Sequence, residues 1–311
     1  MKKFILKLFK YLIAILLFSL IVEGGIYIHT KDNQYLIQED WDKLKNKNFD
    51  LLFIGNSRVW LQVDAEMVSE KLNCKAYDLA QDGRMIDLLW IKFKLYTKFN
   101  KKPTDIFLLY DPYFFDSETN NTFYGKVNYL STMYMDRLDI NHLFKNDTGF
   151  HQYETYIPLL RYSGYGNLLF DHILNTHKAD KHSISTYQYG SDPLNCEWNK
   201  YKFWNQKWYH PLATNNPLSE LCYVDSFIQY CKGNDIKLHL FYPPQSWTSY
   251  KSVSNSNIQR LLQYAKDKKI EFYDFNSEYY NDSTLFVNHT HLNKKGSLVF
   301  TAQLLKHYFN K

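Results

Sequence analysis

Short apolar runs alternate along this chain with longer segments in which apolar residues recur every three or four positions. The short runs, bounded by turn residues, predict five buried strands: Asp50–Gly55, Lys75–Ala80, Asp105–Tyr110, Ile236–Tyr242 and Ile270–Phe275. The longer segments predict five helices: Asp64–Leu72, Ile86–Phe99, Leu218–Lys232, Asn255–Lys268 and Asn293–Phe309. Strands that alternate with helices predict an α/β fold, in which helices cover both faces of a parallel sheet.

The alternation stops between Pro112 and Pro217, in a stretch dense in Tyr, Trp, Phe, Asn and Asp. About a hundred residues is too long for one structureless loop in a compact domain. We therefore predict an α/β domain over residues 31–311 that carries an insertion or cap, residues 112–217, on the functional edge of its sheet. The aromatic side chains of the insertion suit either a carbohydrate-binding surface or a second, aromatic-rich core.

Residues 1–30 have the pattern of a membrane or targeting segment. Lysines at positions 2, 3, 7 and 10 come first, and an uncharged run from Tyr11 to Val22 follows. Flanking apolar residues extend the run to the roughly 20 residues that span a bilayer. Positive charge before the run keeps the N-terminus inside and exports the rest of the chain. Because no clear small-x-small cleavage site follows, a retained anchor is favoured over a cleaved signal peptide that would release a secreted protein, and both stay open.

Composition limits the remaining possibilities. The net charge of +5 includes the N-terminal lysines, and the rest of the chain shows no basic stripe, so a nucleic-acid partner is not expected. The four cysteines, at positions 74, 196, 222 and 231, have none of the spacings that bind zinc. Cys222 and Cys231 lie nine residues apart on one predicted helix, too far for a bond between them. We expect free or buried thiols, although export would allow one or two disulfides.

Three segments at the ends of predicted elements carry groups suited to acyl chemistry. Ser57 directly follows the first strand, where an open α/β sheet places its ligand. Gly83 follows the second strand and can offer an unobstructed N–H to an oxyanion. His291 precedes the last helix and can act as general base for Ser57 over the same sheet edge. Taken singly, each has an ordinary structural explanation. The pair His289 and His291 also suggests a metal, but no partner carboxylate or Cys cluster supports it, so we expect no metal and no cofactor.

In this order the three segments resemble the sequence blocks of the SGNH hydrolase superfamily. Gly55–Arg58 is similar to the first block, with Ser57 in the nucleophile position, and Leu79–Gly83 to the second, with Gly83 as an oxyanion donor. Asn288–Gly296 is similar to the last block, with His291 as the base. The resemblance implies a three-layer, flavodoxin-like α/β fold, in which the N–H groups of Ser57 and Gly83 hold the oxyanion. It does not cover the insertion.

Two positions depart from that family pattern. The third block normally supplies an Asn after the third strand, but this chain has Asp111, which has no amide hydrogen to donate. The last block normally carries an Asp three residues before the His, and this chain has Asn288. The corresponding Asp-to-Asn change costs serine proteases about four orders of magnitude in turnover. Asn288 therefore weakens the catalytic interpretation without excluding it, because some members of the superfamily resemble Ser-His dyads that use a backbone carbonyl instead of the carboxylate. Asn288 is our candidate for the residue beside His291, and Asp274 or Asp282 are possible substitutes.

Arg58, Arg84 and Asp111 are candidates for substrate binding, since an arginine suits an anionic group on the substrate. The alternative is that these arginines are solvated, or paired with Asp82 or Asp111. Substrate binding and ion pairing both stay open at this point.

The N-terminal segment together with Tyr-Asp-Pro after the third strand resembles membrane-tethered SGNH-like proteins of bacterial cell envelopes. That likeness implies an extracytoplasmic serine esterase or acyltransferase that acts on an ester, in particular an O-acetyl ester, of an envelope glycan. Its partners would be the membrane, the acylated substrate and a membrane protein that donates acyl groups. The alternative is a catalytically decayed protein that binds a glycan or a partner protein, favoured by Asn288 and by Asp111.

Overall fold

The structure is a computed structural model, which describes residues 2–30, 44–80, 86–111, 159, 190–191, 193, 221–246, 255–277 and 282–310. The chain divides into two compact units, which are described separately. The first comprises Met1–Lys45 with Asn121–Lys181, and the second comprises Asn46–Asn120 with His182–Lys311. Almost all of the predicted insertion, 112–217, lies outside the described residues, so its bounds remain a prediction.

A five-stranded parallel sheet forms the centre of the second unit. Its strands are β1 (Leu51–Ile54), β2 (Ala76–Asp78), β3 (Asp105–Leu109), β4 (Lys237–Tyr242) and β5 (Glu271–Asp274). Their spatial order is β2-β1-β3-β4-β5, which is the flavodoxin-like order and has its switch point between β1 and β3. In such sheets a ligand binds outside the carboxyl ends of the strands at the switch point. The α/β prediction is confirmed, and the carboxyl end of β1 is the place to look for a site.

Helices cover both faces of this sheet. They are α2 (Ser57–Trp60), α3 (Ala65–Leu72), α4 (Ile86–Phe99), α5 (Leu221–Lys232), α6 (Asn255–Lys268) and α7 (Lys294–Phe309). Phe107 of β3 packs against Tyr308 of α7, with 4.9 Å between ring centroids. Tyr110, three positions further along and so on the opposite face, packs against Tyr264 of α6 at 6.1 Å. A core of buried aliphatic and aromatic side chains therefore lies on each side of the sheet.

Local sequence accounts for the ends of several helices. Asp64 caps α3 by accepting a hydrogen bond from Met67 N at 2.9 Å, and Asn293 caps α7 by accepting one from Gly296 N at 3.0 Å. Asn73 takes a left-handed conformation at the end of α3, which Asn tolerates better than most residues. The predicted strands and helices lie within three residues of the observed bounds. The short helix α2 was not predicted, because four residues carry no measurable periodicity.

The first unit contains a 29-residue helix, α1 (Lys2–Thr30). Residues Lys2–Ile26 are long and apolar enough to cross a membrane, and the side chains from Lys2 to Phe18 are exposed. Glu23, by contrast, is buried within this unit, and its Oε2 accepts a hydrogen bond from Leu159 N at 3.2 Å. The helix therefore has the length and composition of a membrane anchor or a signal sequence, and its Glu23 contacts another part of the chain.

Candidate active site

The chain turns sharply between β1 and α2, and Ser57 is the first residue of α2. The turn needs glycine at position 55, because a Cβ there would lie 2.2 Å from Val59 Cγ2 and 2.9 Å from Leu109 Cβ. Asn56 caps the helix, with its Oδ1 accepting from Arg58 N at 3.0 Å. The N–H of Ser57 is a first-turn amide, so it has no acceptor within its own helix. The local sequence thus places Ser57 at the carboxyl edge of the sheet.

The structure brings together two residues that lie near opposite ends of the α/β domain in the sequence. Ser57 Oγ lies 2.9 Å from His291 Nε2, although the residues are 234 positions apart. His291 belongs to the loop that leads into α7, and both side chains are partly buried. This distance is within the range in which an imidazole can take the proton of a hydroxyl nucleophile.

Asn288 occupies the other side of the imidazole. Its Oδ1 lies 3.1 Å from His291 Nδ1, and it also accepts hydrogen bonds from Thr290 N and His291 N, each at 2.9 Å. Two backbone N–H donors identify this atom of Asn288 as the oxygen, because the amide nitrogen cannot accept them. His291 therefore donates from Nδ1 and keeps the lone pair of Nε2 for Ser57. Asn288 fixes the tautomer that a general base requires, without the negative charge of a carboxylate.

The two aspartates considered as substitutes for Asn288 have other contacts. Asp282 caps a short 3₁₀ turn, Ser283–Leu285, through a hydrogen bond from Thr284 N at 3.0 Å. Asp274 Oδ1 accepts from the backbone and side-chain nitrogens of Asn276 at 2.9 and 2.7 Å. Asn288 is thus the residue that the structure places at Nδ1 of the imidazole.

Polar side chains from two other segments hold the histidine loop by its backbone carbonyls. Gln62, fully buried just after α2, donates from Nε2 to Thr290 O at 2.6 Å. Ser246, after β4, donates from N and from Oγ to His289 O, each at 2.9 Å. Sequence analysis missed Gln62 and Ser246, since a single glutamine or serine after a helix or strand carries no signal of a distant partner. The imidazole is therefore held by the serine side of the site as well as by its own loop.

Arg58, next to the serine, is buried and paired. Its Nη1 lies 2.6 Å from Asp111 Oδ2, its Nη2 donates to Pro243 O at 2.6 Å, and its Cζ lies 4.6 Å from the centroid of the Tyr242 ring. Burial opposes the charged form, but Asp111 and Tyr242 outweigh it and raise the pKa of the guanidinium. Arg58 and Asp111 are only 4% and 0% exposed. Of the two alternatives for Arg58, the structure shows the ion pair with Asp111.

The second predicted oxyanion donor, Gly83, lies outside the described residues, as does the substrate-binding candidate Arg84. Immediately before them, Asp78 ends β2 and its Oδ1 accepts from Ala80 N at 2.8 Å, which turns the chain away from the sheet. Gly190 packs against the same turn with φ +79°, and a Cβ there would lie 2.0 Å from Asp78 O. The strand that leads to Gly83 therefore ends at the same sheet edge as Ser57.

Within the described parts of the chain, no three His, Cys, Asp or Glu side chains are grouped so as to hold a metal ion. Cys74 and Cys231 are free thiols, so Cys231 is not bonded to Cys222. Burial raises the pKa of Cys231 to about 12, so its thiol is unreactive at neutral pH. Cys196 lies outside the described residues. Ser57 remains the candidate nucleophile at this edge of the sheet.

No family model matches the chain, and no curated protein matches it significantly. The solved structures that resemble it include the following two. A proposed acylhydrolase from Bacteroides fragilis is 14% identical over 88% of this chain and 95% of its own, with a TM-score of 0.40. A proposed platelet activating factor from Streptococcus pneumoniae is 11% identical over 97% of this chain and 98% of its own, also with a TM-score of 0.40. Likeness at this level says nothing about activity, so the functional argument rests on the geometry around Ser57.

Proposed function

We propose that this protein is an extracytoplasmic serine esterase or acyltransferase that acts on an ester, in particular an O-acetyl ester, of a cell-envelope glycan. The observation that carries the proposal is the 2.9 Å distance between Ser57 Oγ and His291 Nε2. The Asn288 contact at 3.1 Å, which leaves the lone pair of Nε2 facing the serine, supports it. A hydroxyl with an oriented imidazole beside it is the minimal unit for acyl transfer.

In this mechanism Ser57 Oγ attacks the acyl carbonyl carbon while His291 Nε2 takes the hydroxyl proton. The N–H of Ser57, aided by that of Gly83, stabilises the oxyanion. Collapse of the tetrahedral intermediate breaks the bond to the leaving alcohol, which receives the proton from His291, and an acyl-serine remains. Water, or a glycan hydroxyl, then attacks the acyl-serine with His291 again accepting the proton. The second tetrahedral intermediate collapses, which breaks the bond to Ser57 Oγ, and His291 returns the proton to that oxygen. Water as acceptor makes the protein an esterase, and a sugar hydroxyl makes it a transferase.

The location belongs to the same proposal. Helix α1 is exposed and apolar over its first two thirds, and its lysines lie at the N-terminal end, which favours an N-terminus inside and an exported domain. The buried Glu23, bonded to Leu159 N, favours a retained anchor, since cleavage after the apolar run would remove a group that another part of the chain contacts. A tethered enzyme of this kind would meet a membrane acyl-donor protein and its glycan acceptor at one surface.

The test uses the full-length chain in detergent micelles. We expect a fluorophosphonate probe to label the protein at Ser57, and an acetylated model ester to release acetate. Ser57→Ala should abolish both, whereas Ser226→Ala, which changes a half-buried serine on α5, should leave both unchanged. Labelling and turnover that survive Ser57→Ala would remove Ser57 from the mechanism.

A non-catalytic role is the second candidate, and the uncharged Asn288 is the observation that favours it, because the imidazolium formed during catalysis would lack a carboxylate partner. A protein of this kind would bind an acetylated glycan but would not be labelled. Glycan binding measured by calorimetry, together with absence of labelling in the folded protein, would select this candidate over the first.

A further inference from the structure

We infer that the buried pair Arg58–Asp111 is a positioning device for Ser57, and that Asp111 is at the third-block position because Arg58 requires a carboxylate there. This inference rests on the proposed function. The family pattern has Asn where this chain has Asp111. The inference explains that difference without assuming that activity has been lost. Asp111 and Arg58 touch neither substrate nor reacting atoms in this account, so they act through the backbone that carries the serine.

The contacts of the guanidinium connect several strand ends. Arg58 follows β1, Asp111 follows β3 and Pro243 follows β4, and both Asp111 and the carbonyl of Pro243 lie 2.6 Å from a guanidinium nitrogen. Asn276, in the turn after β5, donates from Nδ2 to the same Pro243 carbonyl at 3.2 Å. The segments that follow four of the five strands therefore share one buried charged network, which includes the residue next to Ser57.

Charge explains why an asparagine cannot replace Asp111 while Arg58 is present. The guanidinium stays ionised, and it is buried away from water. Its charge is therefore compensated by protein groups. An amide at position 111 could accept a hydrogen bond but would leave the positive charge buried without a counter-charge, which is strongly unfavourable. The amide donor of the family pattern and the buried Arg58 are thus mutually exclusive, and the oxyanion is left to backbone N–H groups.

The network reaches Ser57 through a single peptide unit. Arg58 N is held by Asn56 Oδ1 at 3.0 Å, and the Arg58 side chain is held at its far end by Asp111 and Pro243. Residues 56–58 therefore have little freedom to rotate, which fixes Ser57 Oγ against an imidazole that its own loop also fixes. Misplacement of a reacting group by about 1 Å can cost about 100-fold in rate.

The first test is Asp111→Asn in the full-length protein, assayed in detergent with p-nitrophenyl acetate and a fluorophosphonate probe. Although this change restores the residue type of the family pattern, we expect kcat and the labelling rate to fall about 100-fold, with KM within about twofold. The melting temperature should fall on the order of 10 °C, so the kinetics are measured well below it on protein shown to be folded by circular dichroism.

The second variant separates positioning from stability. In Arg58→Met/Asp111→Leu no buried charge is left unpaired, so the melting temperature should return towards that of the wild type. We expect kcat to stay low, because an apolar pair cannot hold the carbonyl of Pro243 or fix residues 56–58. Recovery of kcat together with stability, or an unchanged kcat in folded Asp111→Asn, would overturn the inference. A wild-type protein that is folded but neither labelled nor active would refute the proposed function and this inference together, whereas an active wild type with active variants refutes only the inference.

Discussion

Replacing Asn288 by aspartate should increase activity, because it adds a carboxylate beside the imidazole of His291. The amide oxygen of Asn288 already lies 3.1 Å from His291 Nδ1 and already sets the tautomer. Aspartate has nearly the same size, and two backbone N–H groups at 2.9 Å would bind its carboxylate as they bind the amide oxygen. Asn288→Asp therefore changes the charge beside the imidazole and little else.

The size of the effect follows from the distance and from the exposure of the site. At an effective dielectric constant of about 20, opposite unit charges 3.1 Å apart attract by about 5 kcal/mol, close to the four orders of magnitude that serine proteases lose in the reverse change. Asn288 and His291 are half-buried, so water screens part of that attraction. The gain of a charged over a neutral hydrogen bond, about 1–1.5 kcal/mol, sets the lower limit. We expect about 1.4–2.8 kcal/mol, which is a ten- to hundredfold increase in kcat.

The assay is steady-state hydrolysis of p-nitrophenyl acetate across pH 5–9 by the full-length protein, with the fluorophosphonate labelling rate as a second measurement. Because the new carboxylate favours the protonated imidazole, the acid limb of kcat/KM should also move to higher pH. Asn288→Ala is the matched control and should lower kcat, since it removes both the contact with Nδ1 and the acceptor for the loop amides. Folded Asn288→Asp with unchanged or lower kcat would refute the view that Asn288 is the orienting residue of His291.

Two further predictions test the supports of the site and of the sheet. Gln62→Leu leaves the partly buried carbonyl of Thr290 without its donor, so the free energy of unfolding in urea should fall by about 1–3 kcal/mol and kcat should fall more than KM rises. An unchanged kcat in Gln62→Leu would show that the histidine loop keeps its position without this contact. Burial alone would raise the pKa of Asp105, but hydrogen bonds from His239 and Thr104 outweigh it and lower that pKa. The stability that this carboxylate contributes is present above about pH 4 and is lost as the pH falls through the lowered pKa. Asp105→Asn should therefore have a lower free energy of unfolding in urea than the wild type at pH 7, and the difference should shrink towards pH 3. A difference in unfolding free energy that does not change with pH would contradict this role of Asp105.

Much of the fold was predictable from local patterns. Phe53 and Phe107 lie in apolar runs that became central strands, and Asp64 and Asn293 became helix caps as their positions before apolar-periodic segments suggest. Burial on both faces of a parallel strand leaves a continuous apolar run in the sequence, and a cap bonds only within its own first turn. Such features depend on neighbours along the chain, so the sequence alone is enough to predict them.

The side chains that support the site were not predictable in the same way. Gln62 and Thr290 are separated by 228 positions, and Arg58 and Pro243 by 185. Whether a glutamine or an arginine is solvated or buried depends on which strand ends become neighbours, and strand order is a property of the whole sheet. For this reason the sequence was equally compatible with a substrate contact and with an ion pair for Arg58, and the arrangement of the sheet was needed to distinguish them.

By itself the sequence determined an α/β alternation, an apolar N-terminal segment, and a serine and a histidine placed after a strand and before a helix. Only the tertiary structure decided that Ser57 Oγ and His291 Nε2 lie 2.9 Å apart, that Asn288 contacts the far side of the ring, and that Asp111 belongs to Arg58. The physical reason is one of range. Periodicity and capping depend on contacts within a few residues, whereas the geometry of a site depends on contacts between elements that the order of strands in the sheet brings together.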